Sequence, residues 1–596
     1  MAQGCLPEGI TFTTQAQIDN FPVNYPGCNE IGGGVYILDA EINNLSGLSN
    51  ITSIGGDLFY YCCHELQSFE GFNNLSFIGG EFFLDGNESL QNFSGLENLD
   101  SIGGRLYISF NESLVSLTGL DNLKRIGGEI YIQYNTNLSD IQGLSDLEQG
   151  SISNLSISYN PALQNCQTVP LCEFLSNPTS SVNIYLNGDG CSNPSEIAES
   201  CGFALDCLPY GNYWVKTQQE ADNFFQYYPG CTDLKGDLHI GGETLNYVNG
   251  LFGINSVEGH LMIQNNFSMN NLIGMESLTS VGGNLYVGGN ESDGNEYLRN
   301  FEGLENLVNF DGDIQIIGNY ALENLHGLSG IDSVIDLTIS SYPGIIDLSG
   351  LDSLTTVMHD FHISGYSLKH LIGLEKIDSV RGNLTIGGTD SLIDLEGLNN
   401  LNYIGGELRI SNNKSLNDLA KLISIKSVGD IAIMNNESLT SLEGLDSINS
   451  QDISYLYIYN NEMLSQCEIK SVCEYLIGMN GTAVISNNAT GCNTREEVEA
   501  ACTVGQNEMK LNDFCRVFPN PTSGLLRFSF TLTEPAVISI EIVNSLGQKI
   551  KGPESGYLSS GTHEIIWNAS HLPDGIYFYR LQTNSQTASG RIVISE

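Results

Sequence analysis

The sequence predicts a mainly β protein: two tandem parallel β-solenoids closed by disulfide-bonded helical caps, then a small β-sandwich. Three observations carry the prediction. Ile54, Ile78, Ile102 and Ile126, each followed by Gly-Gly, stand 24 residues apart, and a fixed period in this range marks a solenoid. Two cysteine patterns are written twice along the chain. From Asp513 onward the repeat gives way to alternating strands separated by turn dipeptides.

The repeating unit is plain in "SIGGRLYISFNESLVSLTGLDNLKRIGG", residues 101 to 128. Alternation turns Leu106 and Ile108 inward and Tyr107 and Ser109 outward, as a strand with one buried face requires. The first inward residue recurs as Val35, Leu58, Phe82, Leu106, Ile130 and Leu155. A second series follows: Leu238, Leu261, Leu285, Ile314, Leu337, Phe361, Leu384, Leu408, Ile431 and Leu456. These are six coils and ten. Glycines fit the tight corners. The asparagine after the strand (Asn87, Asn111, Asn135, Asn160, Asn266, Asn319, Asn413, Asn461) suits a turn whose amide bonds neighbouring backbone. No coil can bury its apolar edge alone, so stacking makes the core.

The cysteines bracket each series. Cys166, Cys172, Cys191 and Cys201 are separated by 6, 19 and 10 residues, and so are Cys467, Cys473, Cys492 and Cys502. Cys5 and Cys28 match Cys207 and Cys231, with "CLPEG" answering "CLPYG" and "YPGC" recurring. The twelve read as three disulfides per solenoid and place the chain in an oxidising compartment. Zinc is the alternative, but tetrathiolate sites usually pair their ligands as close CxxC knuckles. The expected pairs are Cys5 with Cys28 and Cys207 with Cys231. In the four-cysteine groups, Cys166 with Cys191 and Cys172 with Cys201 is the preferred of three connectivities, mirrored by Cys467 with Cys492 and Cys473 with Cys502. Cys62, Cys63 and Cys515 have no counterparts.

The same segments read as caps. "TTQAQIDNF" and "KTQQEADNF" carry a threonine followed three residues later by Gln17 or Glu220, a capping-box signature. "CEFL" with "NPSEIAESC", and "CEYL" with "NTREEVEAAC", read as short helices pinned by disulfides. A solenoid needs such plugs over its terminal strands. The expected domains are therefore residues 1–204, residues 205–505, a polar linker at 506–512, and 513–596. In the last, "LLRFSF", "ISIEIVN", "HEIIWN", "GIYFYRLQT" and "GRIVIS" alternate between turns at Asn520-Pro521, Leu546-Gly547 and Asp574-Gly575, as in an immunoglobulin-like β-sandwich.

Composition narrows the partners. Lys plus Arg number 22 against 70 Asp plus Glu, a formal charge of −48, which repels phosphate backbones and anionic membranes. Nucleic acid is thereby excluded, and no apolar run is long enough for a transmembrane segment. From Asp513 onward there are seven acidic and six basic residues, so the solenoids carry the charge. The start "MAQGCL" has neither a basic n-region nor an apolar h-region, so the chain is read as a mature form behind an initiating methionine.

Two resemblances follow from quoted motifs. "VFPNPTSGLLRF", "VNSLGQKI", "LPDGIYFYRL" and the terminal "GRIVIS" resemble, in order, the C-terminal sorting domain of type IX secretion cargo in Bacteroidota. The resemblance implies that Pro519, Asn520, Pro521, Gly524, Leu546, Gly547, Gly575 and Tyr577 shape a module read by the outer-membrane translocon. It also implies passage through the periplasm to the medium or the outer-membrane surface. The pattern "IGGxLxIxxNxxLxxLxGLxNL" with flanking cysteines resembles the receptor L domain, which implies a right-handed β-solenoid related to leucine-rich repeats. There is no kinase and no furin-like segment, so hormone signalling is not implied.

One candidate binding site stands out. The outward residues of the first series are Tyr36, Phe59, Phe83, Tyr107, Tyr131 and Ser156. Five of them form an aromatic stripe with a step of roughly 4.8 Å, suited to a protein or glycan ligand or to a stiffening cross-strand ladder. The second series has no such stripe, since His239, Met262, Tyr286, Gln315, Thr338, His362, Thr385, Arg409, Ala432 and Tyr457 hold those places. "GGNESDGNEYL" offers Asn290, Asp293, Asn295 and Glu296 as weak calcium candidates, without the full EF-hand order. His359 and His362 have opposite strand parity and face apart. No nucleophile elbow, Walker loop or zincin motif is present, so no catalytic residue, no cofactor and no other metal site is expected. The expected function is adhesion or ligand capture by an exported surface protein. A structural or self-assembling surface component is the first alternative, and a carbohydrate-active β-helix enzyme the second.

Overall fold

The computed structural model describes residues 4–38, 41–205, 207–208, 211–289, 294–340, 344–478, 481–502, 515–520, 522–532, 534–544, 547–553, 556–583 and 587–594. Contacts divide the chain into two compact units, Met1–Glu407 and Leu408–Glu596. The architecture is mainly β, with long parallel sheets in the repeats and antiparallel sheets at the C-terminus.

In the first unit, the first series builds an eight-stranded parallel sheet in chain order: Ile10–Phe12, Val35–Ile37, Leu58–Tyr61, Phe82–Asp85, Leu106–Ser109, Ile130–Gln133, Leu155–Ser158 and Val182–Tyr185. The six expected coils gain a strand at each end from the caps, because "ITF" and "VNIY" also alternate and so pair with the edges. A second sheet of two-residue strands, such as Ser101–Ile102 between Phe77–Ile78 and Arg125–Ile126, accompanies the coils from Val35 to Ile130. Between the sheets Ile102, Leu106, Ile108, Leu114, Leu117, Leu120 and Leu123 are buried. Each contributes on the order of 1.5–3 kcal/mol of burial.

Two devices hold the period. The Gly-Gly corners stack coil on coil so closely that a Cβ on Gly103 would strike the Gly79 carbonyl oxygen. Close backbone approach, more than backbone freedom, is what demands glycine there. The asparagines form a continuous buried ladder rather than isolated turns. The Asn111 side chain is fully buried. Its Nδ2 donates to Asn135 Oδ1 at 3.1 Å and to Ser109 O at 2.8 Å, and its Oδ1 accepts from Asn87 N at 3.1 Å and Asn87 Nδ2 at 3.0 Å. Asn87, Asn111, Asn135, Asn160 and Asn187 are linked in this way. Cys63 holds the ladder position in the coil before Asn87, where its backbone N donates to Asn87 Oδ1 at 3.0 Å.

The second series continues the plan through Tyr213–Val215, Leu238–Ile240, Leu261–Ile263, Leu285–Gly288, Ile314–Ile317, Leu337–Ser340, Phe361–Ser364 and Leu384–Gly387. Leu285 stays in register with Ile314 despite the longer connection. The two series meet where Tyr185 stacks on Trp214 at 3.8 Å and Trp214 on His239 at 3.6 Å. Both capping boxes form: Gln17 Oε1 accepts from Thr14 N at 3.2 Å, and Glu220 Oε2 from Thr217 N at 2.9 Å.

In the second unit, Ile431 pairs with Leu456 and Leu456 with Ala483 in a parallel sheet, and Asn413, Asn436, Asn461 and Asn488 repeat the ladder. Helix Lys470–Gly478 forms part of the cap. Among the described residues six disulfides join Cys5 to Cys28, Cys166 to Cys191, Cys172 to Cys201, Cys207 to Cys231, Cys467 to Cys492 and Cys473 to Cys502. That is the pairing preferred from the duplicated spacing. Cys62, Cys63 and Cys515 lie outside these bonds.

The C-terminal sandwich packs Cys515–Phe518, Leu525–Leu532 and Gly561–Asn568 against a sheet of Lys549–Ile550, Ala536–Asn544, Gly575–Gln582 and Thr587–Ile594, with Gly556–Leu558 beside it. Leu526, Phe528, Ile540, Trp567, Tyr579 and Ile592 fill its core. Burial pushes the Cys515 thiol up to about 12, so it stays protonated and packs as a small apolar group.

Candidate functional site

The aromatic stripe lies on the eight-stranded sheet, where strict register sets Tyr36, Phe59, Phe83, Tyr107 and Tyr131 side by side. Phe59 and Phe83 stack at 4.0 Å and 5°, Phe83 and Tyr107 at 4.4 Å and 7°, Tyr107 and Tyr131 at 4.5 Å and 6°. Tyr36 tilts onto Phe59 at 5.9 Å. Ring faces are spent on one another, so the stripe offers edges and phenol oxygens to its surroundings. Arg105 lies 4.9 Å from the Tyr107 centroid and pairs with Glu81 at 3.3 Å. Burial first, then the neighbouring Tyr107, pushes the Tyr131 phenol up to about 12, so it remains a neutral donor, here to Gln133 Oε1 at 2.6 Å. Ser156, at the end of the stripe, is buried and accepts from Gln133 Nε2 at 3.1 Å.

A second stripe runs beside the first. Phe110, Tyr134 and Tyr159 stack at 4.6 Å and 4.5 Å, and Tyr159 meets Tyr185 edge-on at 5.5 Å. Strand parity assigns these positions to the interior. Their φ values of 54°, 56° and 54° turn them outward instead. The signal for them is the residue before each ladder asparagine. Between the stripes lie Asp85, Ser109, Gln133 and Ser158, in register across the strands. Burial raises the Asp85 carboxyl.

The weak calcium candidates come apart. Asn295 is fully buried in the asparagine ladder, its Oδ1 accepting from Asn266 Nδ2 at 2.9 Å and its Nδ2 donating to Asn319 Oδ1 at 2.8 Å. Its amide is thus committed to the fold, which removes it as a calcium ligand. Glu296 is exposed, while Asn290 and Asp293 lie outside the described residues. Among the described residues, His370, Asp394 and Glu396 are close enough to share an ion. Asp394 Oδ1, however, already accepts from Glu396 N at 3.0 Å as a corner brace, beside His370 Nδ1 at 3.3 Å.

In the sandwich, Asn520 reaches the last strand and Gly575 and Tyr577 lie on the strand paired with it, whereas Gly524 and Gly547 make other contacts. Asn520 Nδ2 donates to Arg591 O at 2.7 Å, and its Oδ1 accepts from Val593 N at 2.7 Å. Thr522 N adds a bond to Val593 O at 2.9 Å. The side chain of Asn520 thus imitates a paired strand against residues 591–593. Gly524 N bonds Thr522 Oγ1 at 3.1 Å, and Gly524 O accepts from Ala569 N at 2.8 Å. Gly547 has φ of 77° in the turn that follows Asn544. Gly575 opens the strand that carries the buried Tyr577, whose hydroxyl donates to Pro573 O at 3.0 Å. Pro519 precedes Asn520 on the surface, while Pro521 and Leu546 lie outside the described residues.

Among the described residues no helix is long and apolar enough to cross a membrane. No curated protein matches the chain. Residues 516–595 match the family model described as a secretion system C-terminal sorting domain, and this tail marks the chain for export by the type IX secretion system, to the cell surface or beyond it.

Proposed function

We propose that this chain is a non-catalytic binding protein or adhesin of a member of the Bacteroidota, in which L-domain-like solenoids meet a protein or glycan ligand once the tail has delivered them. The observation that carries this reading is the pair of aromatic stripes on one sheet face. Eight rings in two adjoining ladders, on a chain of strongly negative charge, concentrate apolar contact area where interfaces take their binding energy. Face-to-face stacking favours a protein partner over a sugar, because a pyranose needs an open ring face and these rings present edges. A self-assembling component is supported less well. The internal junction uses Tyr185 and Trp214, and the equivalent positions at the outer ends hold Ser486 and Thr11.

The test is Tyr107→Ala with Tyr131→Ala in the full chain, assayed for attachment to cells and to arrays of glycans and surface proteins. Hot-spot aromatics cost about 2 kcal/mol or more each, so attachment should fall at least tenfold while the fold is retained. Normal attachment by a double variant that melts early assigns the stripes to stiffening the sheet.

A further inference from the structure

The duplicated N-terminal caps differ at several positions, and one pair of differences accompanies an open pocket in the first. "DNFPVNYPGC" at residues 19–28 answers "DNFFQYYPGC" at 222–231. In both copies a four-residue helix, Phe21–Asn24 or Phe224–Tyr227, packs on the neighbouring 3-10 corner, Ser46–Leu48 or Asn249–Leu251. The supporting rings keep the same spacing, with Phe21 and Tyr25 at 5.2 Å and Phe224 and Tyr228 at 5.3 Å, although Tyr228 is buried and Tyr25 exposed. In the second cap the Phe225 ring reaches across to the corner, where a Cβ on Gly253 would lie 3.1 Å from Phe225 Cζ. In the first cap Pro22 replaces Phe225 and Asn50 replaces Gly253. The ring is missing, and a pocket of about 290 Å³ stands in the same place, lined by Phe21, Pro22, Tyr25, Cys28, Asn50 and Ile51.

We propose that this pocket binds an aromatic side chain of a partner polypeptide, the ring that the second cap supplies to itself. Size agrees, since a cavity of roughly 150 Å³ holds benzene and drug-sized ligands need roughly 300 Å³ or more. Tyr25, which lines the pocket and is 38% exposed, adds apolar contact. Asn50 supplies an amide at the wall, which favours a phenol as well as a phenyl ring. The pocket shares no residue with the aromatic stripes, so loss of one binding activity leaves the other measurable.

The probe is N-acetyl-L-phenylalaninamide, titrated into the full chain while isoleucine methyl resonances are followed. Ile51 should shift saturably at millimolar concentrations, the order expected for a fragment of this size. N-acetyl-L-leucinamide and a methyl glucoside should leave it at least tenfold weaker. Pro22→Phe with Asn50→Gly rebuilds the second cap's own plug in the first and should abolish the shift with the melting temperature unchanged or raised. The reciprocal Phe225→Pro should open a second saturable site that reports at Ile254. An Ile51 resonance that does not respond, a shift that survives Pro22→Phe with Asn50→Gly, or an equal response to the sugar or the leucine probe overturns the proposal.

Discussion

Replacing Asn111 with alanine should cost far more than its size suggests. The Asn111 Oδ1 accepts from Asn87 N at 3.1 Å and Asn87 Nδ2 at 3.0 Å, and all of these groups are buried. Alanine removes the acceptor of Asn87 N, out of reach of water, while Asn87 Nδ2 keeps Asp85 O at 3.1 Å and Tyr60 O at 3.3 Å. A buried donor left unmade costs about 1–3 kcal/mol, to which the cavity left by the side chain adds. Asn137→Ala is the control. Its Nδ2 donates to Glu112 O at 2.7 Å on the exposed surface, where a change is worth about 0.5 kcal/mol or less. Stacked repeats need not unfold in one step, so hydrogen exchange read coil by coil is the appropriate assay, with urea unfolding beside it. Protection should collapse around Asn87, Asn111 and Asn135 in Asn111→Ala and stay intact in Asn137→Ala. Equal protection in the two variants would refute the claim that the ladder holds the coils together.

Two further outcomes are expected. Burial, then the charge of Lys216 and then His260, holds His239 down to about 3 against an ordinary 6.5. The unfolded chain takes up that proton first, so this stability is present above about pH 6.5 and is lost as pH falls toward about 3; thermal melts between pH 7 and pH 4 should show a fall that His239→Phe reduces. Asn520→Ala removes both side-chain bonds to residues 591–593, at about 0.5–1.5 kcal/mol each, so exchange in the terminal strand should quicken and export decline, while the Ala control at exposed Ser523 does neither.

Much of the fold was legible because the chain repeats itself. The 24-residue spacing of Ile54, Ile78, Ile102 and Ile126 reports stacking directly, and the doubled cysteine spacing reports the caps. Inward and outward residues followed parity along Leu106–Ser109, and the five-ring stripe came with them. Parity failed at Phe110, Tyr134 and Tyr159 because a positive φ ends the alternation, which hid the second stripe. The asparagines were readable as corners. Their connection across coils depends on a distance between neighbours that no single coil specifies, and for that reason the sequence alone leaves Asn295 among the calcium candidates. Likewise Pro22 and Phe225 hold the same place in aligned segments, but only the position of the Phe225 ring against Gly253 gives that difference a volume.

The division of labour between solenoids and tail is tested most directly by cell fractionation. In a host with the type IX secretion system, the full chain and a chain ending at Cys502, both behind a signal peptide, are followed by surface proteolysis and by non-reducing gels. The full chain should reach the surface or the medium. The shortened chain should remain in the periplasm with its six disulfides formed, because both solenoid ends are closed by their own caps. Arrival of the shortened chain at the surface would contradict the account.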